Sequence, residues 1–197
     1  MRRRKILIHV IGLLVARVAF YSMNPLAIGF FTASYLSKTG GGWAFAVAMI
    51  GIITSMNTTG ILKYSLALIS SAIIMETPFI KEKNIPKPIL FLLPSVVLII
   101  FSLMEVTSGG PIKYYIVMAI LEGLIAFLSA GIFRQGIEYL MESQKDTKMN
   151  NEQMVSMALM IAVILYAIPE FNSDYLAPAQ TVAYFVIILF TYKYGAG

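Results

Sequence analysis

A chain of 197 residues that is 58% hydrophobic and only 13% charged lacks the polar residues to cover a water-soluble globule of its size. With a mean hydropathy of +0.79 it reads as an integral membrane protein, and its excess of five positive charges falls between apolar runs, which excludes nucleic acid as the natural partner. The absence of cysteine excludes a disulfide framework, a thiolate metal site and a cysteine nucleophile.

Arg2, Arg3, Arg4 and Lys5 precede an apolar run that starts at Ile6. A basic head before an apolar run also fits a signal peptide. Arg17 falls where a cleavage site would lie, so the run is expected to be an uncleaved first membrane helix with Arg17 inside it. His9 near its start is assigned no role. Pro25 opens PLAIGFFTASYLS, which is short for a span and either crosses with help from its neighbours or is re-entrant. Residues 38–42, KTGGG, form a flexible turn, and Trp43 after it suits an interfacial anchor. A third apolar segment covers 44–56, with Asn57, Thr58, Thr59 and Gly60 as the next turn. The fourth covers 61–74, with Lys63 snorkelling from its end and Glu76 near its other end. A charged loop, 79–88, leads to the fifth segment, 89–104, and a turn over 105–111 leads to the sixth.

That sixth stretch, 113–148, starts as an unbroken apolar helix with one acid, Glu122, in its middle. After Phe133 it turns amphipathic: Arg134, Glu138 and Glu142 recur at four-residue steps and predict a cytoplasmic helix extension with a solvated face. Ala119, Gly123, Ala126 and Ala130 lie at three- and four-residue steps around Glu122, a small-residue face for close helix approach. The acid is therefore expected to point into protein. A seventh segment, 154–168, follows an entry with Asn150 or Asn151 as N-cap and Glu152 in the first turn. An eighth covers 180–190.

With the N-terminus inside and all eight segments crossing, twelve basic residues face the cytoplasm and only Lys63 and Lys113 lie outside. That bias is what the positive-inside rule requires. The expected fold is all-α: one polytopic integral membrane helix bundle over residues 1–197, with about eight transmembrane helices, or six if the second and third segments are one re-entrant unit, and a cytoplasmic N-terminus.

Arg17 and Glu122 are the ionisable residues deepest in the expected spans. A lone charge at mid-bilayer costs about 2.5–3.5 kcal/mol on insertion scales. A structural role, with Arg17 a candidate partner for Glu122, is favoured over a proton or ion path. No phosphate loop, zinc-protease motif, serine elbow or paired intramembrane acids occur. No catalytic residue, cofactor or metal is assigned, and the chain is not read as an enzyme.

Three stretches carry a family likeness: IGLLVARVAFYSMNPLAIGFFTASYL, YYIVMAILEGLIAFLSAGIF and MNNEQMVSMALMIAVIL. In order, spacing and the placement of Arg17, Pro25, Glu122 and Glu152 they resemble the N-terminal membrane region of the stage II sporulation protein E family. The resemblance implies a membrane anchor that self-associates and works beside cell-division and septal proteins at the polar septum of a sporulating cell. In the family that anchor precedes a metal-dependent serine/threonine phosphatase acting in sigma-factor activation. The chain ends near the eighth segment, without the phosphatase, and is expected to be a fragment or truncated product. The alternative is a small membrane transport component, such as the substrate-binding subunit of a vitamin-uptake system.

Overall fold

A computed structural model describes residues 2–20, 23–78, 80, 85–104, 112–142 and 150–167. The described residues form seven helices: α1 Arg2–Ala16, α2 Pro25–Leu36, α3 Gly41–Ser55, α4 Thr58–Glu76, α5 Lys87–Met104, α6 Ile112–Glu142 and α7 Asn151–Ala167. No strand is present among the described residues; Phe20 and Met23 form an isolated bridge. Among the described residues three helices are long and apolar enough to cross a membrane, within α4, α5 and α6. That is fewer than the eight expected crossings. At 12 and 15 residues α2 and α3 are about 18 and 22 Å long, against a hydrocarbon core of roughly 30 Å. They are separate helices joined by a turn, in which Lys38 and Gly40 adopt positive φ of 54° and 126°. The eighth expected segment lies outside the described residues.

The helices run alternately up and down. Arg4 donates to the Met141 carbonyl at 3.2 Å, which sets the start of α1 beside the end of α6. Tyr35 donates to Glu76 at 2.9 Å and to the Met75 carbonyl at 3.0 Å, joining the ends of α2 and α4. At the opposite pole Asn24 caps α2, its side chain accepting from the Ala27 amide at 3.3 Å. Its amide group donates to the Ala16 carbonyl at 2.7 Å and to Ser55 at 3.0 Å. One buried asparagine thus satisfies a free helix-start amide and a free helix-end carbonyl, and ties in the Ser55 hydroxyl of α3.

The sequence reading centres the fold on the sixth apolar stretch, whereas the most enclosed element is α2. Pro25 to Ser34 are all buried. Leu26, Phe30 and Ala33 join Phe133, Ile137 and Met160 in one apolar cluster. Ala27, Ile28 and Phe31 join α3, α4 and α5 in another. Gly29 lets α2 approach α6 closely: an added Cβ would lie 3.0 Å from the Ala126 carbonyl oxygen and overlap the Ser129 hydroxyl. α6 packs beside it with Ala119, Gly123, Ala126 and Ala130 buried, the small-residue face the spacing predicts. Its other face carries Val117, Ile120, Leu124 and Leu128, all exposed. α4 and α5 likewise turn Leu62, Leu66, Ile73, Leu92, Val96 and Ile100 outward. An apolar outside around a partly polar inside suits a bilayer as the surrounding solvent.

Candidate functional site

Glu122 is 2% exposed and sits at a junction of α4, α5 and α6. Lys63, 8% exposed, donates to its Oε1 at 2.9 Å, and the buried Tyr64 hydroxyl donates to the same oxygen at 2.8 Å. Ser102 donates to Oε2. The Lys63 ammonium also lies 4.6 Å from the centre of the Tyr64 ring. The acid therefore has an opposite charge and donors on both oxygens, the condition for holding a carboxylate away from water.

Helix rise locates the group. Glu122 lies ten residues, about 15 Å, beyond Ile112. Lys63 is five residues into α4 and Ser102 two residues from the end of α5. The cluster thus sits towards the end of the bundle where α4 begins and α5 ends.

Two expectations change here. Arg17 does not lie inside a helix: it is exposed in the turn that closes α1, its amide bonded to the Leu14 carbonyl at 3.2 Å. The role of partner to Glu122 belongs to Lys63. Lys63 in turn does not snorkel outward, because the carboxylate inside the bundle is a nearer and stronger acceptor than water at the helix end. The sequence signal for the pair was a single base and a tyrosine, Lys63 and Tyr64, beginning an otherwise apolar helix.

A second polar group occupies the opposite pole. Arg134 and Glu138 form an ion pair at 2.6 Å on one face of α6, Arg134 being mostly buried and Glu138 40% exposed. The guanidinium lies 5.8 Å from the centre of the Phe91 ring of α5. Gln135 turns towards α7, donating to Glu152 at 3.3 Å and accepting from Ser156 at 3.3 Å. Lys87, Phe91, Arg134, Glu138 and Glu152 border a cleft of about 490 Å³ between α5, α6 and α7. Glu142 ends α6, and its side chain lies outside the described residues. The solvated face expected of Arg134, Glu138 and Glu142 is thus partly a packed one: its base stacks on α5, while Gln135 beside it binds α7.

Among the described residues no three metal-binding side chains converge at either group. The chemistry they offer is charge pairing inside the bundle and a mixed-charge cleft at its rim.

No curated protein and no solved structure matches the chain at a significant level. The family model of the N-terminal domain of SpoIIE matches residues 1–197, its whole length. Three helices apolar and long enough to cross a membrane among the described residues accord with a membrane-anchoring region, and the chain belongs to the SpoIIE N-terminal domain family.

Proposed function

We propose that this chain is a multi-pass anchor that holds a sporulation phosphatase of the stage II sporulation protein E type at the asymmetric septum, where the enzyme acts in sigma-factor activation. The observation that carries the reading is the family match over residues 1–197. The apolar outer faces of α4, α5 and α6 support membrane embedding. The family match also favours an anchor over a vitamin-uptake subunit.

The bundle's charge distribution supports a cytoplasmic N-terminus. Arg2, Arg3, Arg4, Lys5, Lys38, Lys87 and Arg134 lie towards the pole where α1 begins, against Arg17, Lys63 and Lys113 towards the other. Positive residues are retained on the cytoplasmic side during insertion. Septal cell-division proteins would then meet the pole that carries the Arg134 cleft.

The test is a fluorescent protein fused to residues 1–197 in a sporulating bacterium. A band at the polar septum is expected. Uniform membrane fluorescence through polar division would remove septal targeting from these residues, and signal in the soluble fraction would remove the anchor itself.

A further inference from the structure

The cleft beside Arg134 does not end at the pole. A second groove, of about 450 Å³, runs from it between α6 and α7 and shares Gly131, Gln135 and Glu152 with it. This groove is lined by Leu128, Ile132 and Val155, and Leu128 and Val155 are exposed on the apolar flank. At the join, Gly131 has nothing within 4 Å of where a Cβ would be, so the floor is open. The two spaces adjoin at Gly131, Gln135 and Glu152, the one charged at the rim and the other apolar along the flank.

Its depth is that of a membrane interface. Gly131 lies 19 residues beyond Ile112, about 28 Å along α6, close to the roughly 30 Å thickness of the hydrocarbon core. Lys87 begins α5 and Asn151 begins α7, so the rim lies at the end of the bundle, which on the membrane reading is level with phospholipid headgroups, with the groove level with upper acyl chains. Arg134 and Glu138 neutralise each other as a pair, which leaves Lys87 and Glu152 to offer one charge of each sign at the rim. A purely anionic headgroup would meet the Glu152 carboxylate there. A headgroup with one phosphate and one ammonium meets a partner for each. Glu152 has one described bond, at 3.3 Å from Gln135, and an ionised carboxylate has about four acceptor sites.

We infer that the cleft and groove between α5, α6 and α7 bind one aminophospholipid, with its phosphate on the Lys87 side of the rim, its primary ammonium on Glu152, and an acyl chain along Leu128 and Val155. Basic pockets between membrane helices are established sites for anionic headgroups. This site adds a primary-amine requirement, because a trimethylated amine has no N–H to donate to the carboxylate. The inference rests on the membrane reading above.

The experiment uses the whole chain, extracted from membranes in mild detergent and analysed by native mass spectrometry. Phosphatidylethanolamine, phosphatidylglycerol and phosphatidylcholine with matched acyl chains are added in turn. The wild type is expected to retain phosphatidylethanolamine several-fold more than the other two. Gly131→Leu, which fills the open floor and improves helix propensity, is expected to lose that preference without a lower melting temperature. Glu152→Gln, nearly isosteric, is expected to weaken the preference and serves if the leucine variant does not fold. Equal retention of the three lipids, a preference for phosphatidylglycerol, or unchanged selectivity in both variants overturns the proposal. Release of the protein without detergent would instead overturn the membrane reading on which it rests.

Discussion

Glu122 has two carboxylate oxygens, and the bundle supplies donors to both. The energetic consequence is asymmetric. Removing one member of a buried pair leaves an uncompensated charge and costs about 3–5 kcal/mol, whereas replacing both with apolar residues is often neutral or stabilising. Glu122→Leu and Lys63→Leu are each expected to lower stability by about 3 kcal/mol, moderated in the membrane by each residue finding other partners. The double substitution is expected to recover most of that loss. Unfolding in detergent micelles reads the cycle; a double variant no better than its parents would mean that the two charges are not coupled. Tyr64→Phe removes one donor and is expected to cost about 1 kcal/mol. The sequence identified Glu122 as inward and paired but not its partner. Insertion cost depends on depth, which a sequence suggests, whereas partnership depends on how α4 and α6 pack, which it does not.

Helices here approach as closely as their smallest residues allow. At Gly51 an added Cβ would lie 2.7 Å from the Ala16 carbonyl carbon and 2.8 Å from its oxygen. Those are backbone atoms at the α1–α3 crossing and cannot swing aside. Gly51→Ala is therefore expected to destabilise by about 1–3 kcal/mol through overpacking. Gly131→Ala has free space and is expected to be neutral or to stabilise by up to about 1 kcal/mol. Thermal denaturation in one detergent compares the two, and equal effects would show that the crossing is looser than described. Helix existence was readable from apolar runs, as α4, α5 and α6 show. The buried face of α6 was readable too, from Ala119, Gly123, Ala126 and Ala130. The enclosure of α2 was not: with nearly every residue apolar or small, PLAIGFFTASYL has no polar face to betray which neighbours surround it. Nor was the end of α1, since Arg17 marks a boundary that looks the same as a charge inside a span.

At the scale of the molecule the chief asymmetry is between the poles. The α1-start pole carries most of the described basic residues, and the absence of cysteine makes sidedness simple to measure. Lys38→Cys is expected to react with a membrane-impermeant thiol reagent only after permeabilisation, and Lys113→Cys in intact cells. The reverse pattern would invert the proposed orientation. The enclosure of α2 also imposes an order on biogenesis. Gly29 rests against Ser129, made a hundred residues later. A ribosome adding about 5–20 residues per second needs roughly 5–20 s to cover that distance. Through that interval the groove that α6 will fill stands open, and α2 is too short to bridge the hydrocarbon core unaided. The innermost helix of the finished bundle is thus among the first made and among the last enclosed, so the nascent chain depends on the insertion machinery or a chaperone to shelter it until α6 arrives.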